Sequence, residues 1–328
     1  MVFSLIALAL LAVAIFFWIT HSKTPACTAA PKVVIYDSTA AGAGQAPGPI
    51  PKIIWSYWHT GKPPLVVEQC RRNWEKLNPG FAVNLVLGER LMEFVAPRDL
   101  PAEFHRLGGV RQSEWMRLYL LHRYGGIWLD ASIILTQPLD WMIEAQTAGR
   151  AQYLGYYLDR FTARADCPVI DSWCMAAPLG SPFIADWFSE FCGAALTDSP
   201  AYIQALGTRR EHILQKINSP EYLAVHVAAQ KLLNQKQGYR LHLIRAEDSA
   251  YFFQTRAGRL KRAGLFPNLL LRKCGDAPPA LIKLRGGERR KLEFYLRRRL
   301  FTKASIAGRF LDHPPRTAAA TTAGNLVK

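Results

Sequence analysis

The chain has 328 residues, half of them apolar, and a formal net charge of +16. That composition excludes a disordered chain, and the length allows a large core in one domain or two. The charge is uneven: Arg256 to Arg316 holds 17 Lys and Arg against 4 Asp and Glu, so the rest is close to neutral.

Val2 to Ile19 is apolar apart from Ser4. As a helix it spans about 27 Å, near the thickness of a hydrocarbon core, and no basic residue precedes it. It therefore reads as a retained single-span anchor (1–20) rather than a cleaved signal. Lys23 and Lys32 follow it, which places the large domain on the cytoplasmic face. Residues 21–49 are rich in Ala, Gly, Pro and Thr and read as a linker, with Val33-Val34-Ile35-Tyr36 as a stray strand within it.

The folded domain is expected over 50–285. Ile53 to Trp58 is a first buried strand. Val66 to Leu77 has helical spacing and is stopped by Asn78-Pro79-Gly80, and Phe81 to Leu87 is a second strand. Arg111 to Tyr124 reads as an amphipathic helix with Ser113 as its N-cap, and Gly125-Gly126 as its left-handed stop. Ile127 to Leu135 is a third strand, closed by Pro138. Tyr153 to Leu158 and Trp173 to Ala177 read as strands, and Pro182 to Leu196 and Glu221 to Leu233 as helices. This alternation predicts an α/β sheet with helices on both faces, whose ligands bind beyond the carboxyl ends of the strands. Trp58 and Asp130 fall at such ends.

Residues 286–328 form a basic tail. Arg289-Arg290-Lys291 and Arg297-Arg298-Arg299 alternate with Leu292, Phe294-Tyr295-Leu296 and Leu300-Phe301. That pattern predicts a basic amphipathic helix suited to an anionic membrane face, which would hold the site near a lipid-linked acceptor. No nucleic-acid-binding module accompanies the charge, so no nucleic-acid partner is expected. The six cysteines form no Cys-x-x-Cys pair and read as buried free thiols.

Glu114, Arg117 and Asp130 carry the chemistry. Three residues apart on a helix, Glu114 and Arg117 would be a plain surface ion pair if they stood alone. Asp130 closes an apolar strand, where a carboxylate is costly unless paired or functional. Two carboxylates and a guanidinium suit a phosphorylated, polyhydroxylated ligand: carboxylates accept hydrogen bonds from sugar hydroxyls, and the guanidinium fork binds phosphate. Trp58 is either a core aromatic or a stacking platform. His59 and His226 read as packing residues. Asp159, Asp166 and Asp171 all remain open as general base.

The run Ser113-Glu114-x-x-Arg117, followed by Gly125-Gly126-Ile127-Trp128-Leu129-Asp130-Ala131-Ser132, resembles the Ser-Asp-x-x-Arg…Gly-Gly-x-Tyr-x-Asp-x-Asp signature of sugar transferases. It is most similar to the capsular polysaccharide synthesis protein family, related to glycosyltransferase family 32. Ile50-Pro51-Lys52-Ile53-Ile54-Trp55-x-x-Trp58, about 55 residues upstream, is similar to the opening of the same superfamily. The resemblance implies a GT-A-like, Rossmann-related mixed sheet and hexosyl transfer from a UDP- or GDP-sugar to a surface-polysaccharide or other glycan acceptor. By position it makes Asp130, Arg117 and Glu114 catalytic, and Asp130 the contact to a divalent cation, Mn or Mg. Trp58, Trp128, Ser113, Ser132 and Lys283 (in Leu281-Ile282-Lys283-Leu284) would bind the donor. The related toxins and family 32 suggest retention of configuration. Two residues depart from the pattern. Glu114 replaces the usual Asp, and Ser132 stands where a second metal carboxylate would be, which puts the cation in doubt. The alternative is a membrane-tethered binding protein with a degenerate, inactive transferase fold.

Overall fold

The computed structural model describes residues 2–39, 47–255 and 264–313. Seven strands form one mixed sheet: β1 (Val33–Asp37), β2 (Ile53–Trp58), β3 (Ala82–Leu87), β4 (Gly126–Leu129), β6 (Tyr153–Tyr157), β7 (Ile170–Ala177) and β8 (Arg240–Arg245). Their order is β1-β8-β6-β7-β4-β2-β3. The central β6 and β7 are buried along their whole length, as expected of strands covered on both faces. β2 runs parallel to β3 and β4, while β7 is antiparallel to β4 and β6. The carboxyl ends of β2 and β4 therefore meet the amino end of β7 at one sheet edge. Leu129 lies opposite Cys174, and the Asp130 amide donates to the Trp173 carbonyl at 2.8 Å.

The expected third strand is split. After β4 the chain leaves the main sheet through a turn closed by the Ile133 amide on the Asp130 carbonyl. It then forms β5 (Ile134–Leu135), which pairs antiparallel with β9 (Leu281–Ile282) in a separate two-stranded ribbon. β1 lies in the segment read as linker and pairs with β8 at the edge of the sheet. β8 carries little strand signal in the sequence, because its apolar residues alternate with Arg and His over only six positions.

Helix α2 (Leu65–Leu77) buries Val66, Val67, Cys70, Asn73 and Trp74, a helical stripe, against β3 and β5. Helix α3 (Gly109–Tyr124) was expected to be amphipathic but is buried on every side from Glu114 to Leu121. It lies against β2, β4 and β7 and is covered by α5 (Pro182–Glu190). Its N-cap is Gly108, with Ser113 one turn inside. Helix α4 (Asp140–Gly149) packs on β6 and β8. The short helices α6 (Ser199–Gln204) and α7 (Arg210–Leu214) lead to α8 (Ala224–Gln235), which packs on α5 and β7. After α9 (Phe252–Thr255) come α10 (Gly286–Arg297) and α11 (Ile306–Phe310).

Two features of the basic segment are set by packing. Leu292 and Leu296 of α10 are buried, and α10 lies against α2. The Glu293 carboxylate accepts the Leu65 and Val66 amides at 3.2 and 2.7 Å, capping the amino end of α2. Residues 314–328 of the expected tail lie outside the described residues.

The expectation of a GT-A-like sheet preceded by a transmembrane helix is corrected. Among the described residues the architecture is a mixed α/β fold with flanking helices, and no helix is long and apolar enough to cross a membrane. Helix α1 (Val2–His21) is apolar, but its carboxyl end belongs to the domain. Arg272 lies over the Trp18 ring at 5.2 Å, and the Lys273 amide donates to the Ser22 carbonyl. The single-pass placement with a cytoplasmic catalytic face is therefore not supported.

Candidate active site

A cavity of about 770 Å³ opens at the sheet edge where β2 and β4 end and β7 begins. Trp58 stands at the end of β2, Asp130 just after β4, and Asp171, Ser172 and Trp173 at the start of β7; all five line it. From α3 come Ser113, Glu114 and Arg117, and Ser132 follows Asp130. Lys283 and Arg285 enter from the loop after β9, and Arg289 and Arg290 from the first turns of α10.

Asp130 is the hub. Its Oδ2 accepts from Lys283 Nζ at 2.5 Å, and its Oδ1 lies 3.3 Å from Arg117 Nη2. The Trp128 indole N–H also donates to Oδ1, at 3.1 Å. Trp128 is fully buried behind the cavity rather than on its wall, and Arg117 stacks over its ring at 5.3 Å. Burial pushes the Asp130 carboxyl up, but Lys283 and Arg117 outweigh it and hold it below the usual carboxylate range. The ribbon explains why Lys283 meets Asp130 across 153 residues. β5 begins four residues after Asp130, β9 ends one residue before Lys283, and their pairing brings the two flanks together.

Arg117 is only 6% exposed. Its Nη1 donates to the Ser172 carbonyl and hydroxyl at 2.7 and 2.5 Å, and its Nη2 to the Ser113 hydroxyl at 3.3 Å. These contacts aim the guanidinium at Asp130. Glu114 does not pair with Arg117. Its Oε2 accepts from Arg111 Nη1 at 2.7 Å, one turn earlier. Burial raises the Glu114 carboxyl, and Arg111 and Arg117 only partly oppose that. A folded-state pKa above the unfolded value contributes stability at low pH that is lost as pH rises through it. The ionised Glu114 carboxyl therefore contributes less stability than the neutral one. Glu114→Gln is expected to keep or raise the melting temperature at pH 7. A clear fall in melting temperature would contradict the burial argument.

Of the three open carboxylates, only Asp171 faces the cavity. Asp159 pairs with Arg245 at 2.6 Å and Asp166 with Arg164 at 2.9 Å, both away from it. Asp171 Oδ1 lies 3.0 Å from His226 Nε2, and its Oδ2 accepts the Trp173 indole N–H at 2.6 Å. Burial raises the Asp171 carboxyl, and the His226 contact and Lys283 hold it low instead. His226, read from sequence as a packing residue, is buried yet lines the cavity. Its only sequence signal was a polar residue on the apolar face of a helix.

Arg289 stacks over the Trp58 ring at 4.9 Å, and Arg285 over Tyr251 at 5.3 Å. Neither these two arginines nor Arg290 has a carboxylate within ion-pair distance among the described residues. Sequence reading assigned Arg289 and Arg290 to a surface tail, because nothing local marks which face of α10 turns inward. Among the described residues no three His, Cys, Asp or Glu side chains converge to hold a metal ion. Asp130 faces two cations, and its neighbour Ser132 offers only a neutral hydroxyl. That donor set does not fit a hard divalent cation held by the protein.

Residues 44–192 match the sequence profile of the capsular polysaccharide synthesis protein family. The O-glycosyltransferase braB of Annulohypoxylon truncatum is 26% identical over 157 residues, which cover 43% of this chain and 37% of that protein. The O-glycosyltransferase PaGT of Phomopsis amygdali is 25% identical over 153 residues, 38% of this chain and 34% of that protein. The match thus spans about a third of the length of these curated relatives. Among solved structures, the PaToxG glycosyltransferase is 17% identical and covers 57% of this chain and 80% of its own, with a TM-score of 0.32. The profile match over 44–192 includes both sequence motifs, and shows the resemblance of this glycosyltransferase-like chain to the capsular polysaccharide synthesis protein family.

Proposed function

We propose that the chain is a glycosyltransferase that moves a sugar from a nucleotide-sugar donor, UDP- or GDP-linked, to a hydroxyl of a glycan acceptor. The supporting observation is the convergence of Asp130, Arg117, Lys283 and Trp58 on one cavity at the carboxyl ends of parallel strands. Its volume, about 770 Å³, suits a ligand the size of a nucleotide sugar.

In this reading the Trp58 face stacks on the base once Arg289 turns to the phosphates. Glu114 and Asp130 accept hydrogen bonds from donor hydroxyls. Ser113 and Ser132 are further hydroxyl partners on the same wall. During transfer the bond from the anomeric carbon to the β-phosphate oxygen breaks, and its electron pair stays on that oxygen. The acceptor oxygen bonds to the anomeric carbon, and its proton is released to solvent. The leaving diphosphate gains one negative charge, which preorganised cations stabilise more than they stabilise the bound donor.

The test is a calorimetric titration of the full chain with UDP- and GDP-sugars, followed by assay of sugar release. Saturable binding of one nucleotide class with slow hydrolysis of that donor is the expected result. Binding without turnover toward water or glycan acceptors would favour an inactive binding protein, and no binding of any donor would sink both readings.

A further inference from the structure

The cavity walls carry six Lys or Arg side chains against three Asp or Glu, an excess of positive charge. Each of the three carboxylates already has a basic partner: Asp130 has Lys283 and Arg117, Glu114 has Arg111, and Asp171 has His226. Of the charge without an ion pair among the described residues, Arg285, Arg289 and Arg290 sit where the loop after β9 meets α10, and Arg160 follows β6. Resting on the transferase reading above, we propose that Arg289 and Arg290 join Lys283 to neutralise the donor diphosphate in place of a divalent cation. Donor binding is then metal-independent.

Three observations carry this. First, Asp130 stands where a metal would be held, but an ammonium lies 2.5 Å from one of its oxygens and a guanidinium 3.3 Å from the other. A dication there would have to displace Lys283 and sit beside Arg117, against Coulomb repulsion in a largely desolvated site. Lys283 is held in place from behind: its amide donates to the Ala250 carbonyl, and its carbonyl accepts from Gln254 Nε2 at 2.8 Å. Second, a hard cation takes six or more oxygens and is anchored by at least one free carboxylate; both oxygens of Asp130 are already engaged by cations, and among the described residues no group of three His, Cys, Asp or Glu replaces it. Third, Arg289 is partly buried against Trp58 with no carboxylate within ion-pair distance among the described residues; the anion that acts on it, Asp130, is already paired with Lys283 and Arg117. A desolvated guanidinium with no anion is costly unless a ligand supplies one, and its planar fork matches phosphate oxygens. Bond cleavage as written above adds one negative charge to the β-phosphate, next to three cations rather than one metal ion.

UDP and GDP serve as probes, titrated into the full chain once with EDTA and once with Mn²⁺. The nucleotide that binds is expected to do so with dissociation constants within about threefold of each other in the two conditions. Arg289→Ala with Arg290→Ala is expected to weaken that binding about 100-fold in EDTA, with no rescue by Mn²⁺. Arg297→Ala with Arg298→Ala, at the carboxyl end of the same helix and outside the cavity, is expected to leave it unchanged. Thermal melting shows whether each variant folds, and Arg289→Lys, which keeps the charge without the fork, is expected to lose less. Binding only with Mn²⁺ would overturn the proposal while leaving the transferase reading intact. Wild-type affinity in the first double variant, or equal loss in the control pair, would also overturn it. Failure of both nucleotides to bind in both conditions would remove the transferase reading along with it.

Discussion

Asp130→Asn is expected to lower the proposed sugar transfer by about a thousandfold or more, with the fold retained. Asparagine keeps the shape and still accepts the Trp128 indole N–H, but it removes the charge that fixes Lys283 and Arg117. Loss of one preorganised electrostatic contact typically costs a hundred- to a thousandfold in rate, and here two cations lose their orientation at once. Removing one member of a buried charge group also destabilises the protein. Asp130 and Lys283 keep 24% and 12% of their side-chain surface, so solvent screens the loss, and about 2 kcal/mol is expected. The acid limb gives an independent check. The depressed Asp130 pKa contributes stability that is fully present above its unfolded value and is lost as pH falls through the folded value. Acid melting of the variant should therefore lack that portion of the decline below about pH 4. Transfer at the wild-type rate would remove Asp130 from the site.

Gly126→Ala has the largest expected effect on stability. Gly126 opens β4 at φ +102°, where side chains are strained, and an added Cβ would sit 2.7 Å from the Ile53 carbonyl oxygen on the neighbouring strand. Neither strand can give way. β4 is held between β2 and β7, and the Trp55 indole N–H is tied to the Gly125 carbonyl at 2.9 Å. Backbone strain and the clash together are expected to cost at least about 3 kcal/mol. Urea unfolding measures this directly. A midpoint within error of wild type would mean that β4 can shift, and would put the position of Asp130 in question as well.

Much of the fold was legible because its signals are local. Gly125-Gly126 marks a helix stop by backbone sterics alone, and β2, β3, β6 and β7 are compact apolar runs. Asp130 and Trp58 could be marked as candidates because a polar or aromatic group at the end of a buried strand is unusual wherever the strand goes, and Arg117 by its spacing from Glu114 ahead of the Gly-Gly turn. Other parts depend on pairing and burial between distant segments. The amphipathic reading of α3 failed because α5, some 60 residues later, covers its outer face. The Glu114–Arg117 pair gave way to Arg111 and Asp130 as partners once that face was closed. The anchor reading rested on the length of an apolar run, which says nothing about the contacts of Trp18 and Ser22 with Arg272 and Lys273. Arg289 and Arg290 looked like surface charge because the inward face of α10 is set by Leu292 and Leu296 docking on α2.

The ribbon of β5 and β9 has a further consequence, for the order in which the protein acquires its site during synthesis. Trp58, Arg117 and Asp130 leave the ribosome early, but Asp130 lacks its ammonium partner until β9 has been made and has paired. Such a high-contact-order closure is slow relative to local helix formation, since a long loop must be closed before any contact rewards it. A nascent chain that has formed the main sheet thus still holds an open, under-neutralised pocket. If the chain binds a nucleotide as proposed, binding competence and completion of the fold coincide, and retention on an immobilised nucleotide is expected to separate fully folded molecules from those arrested one step earlier.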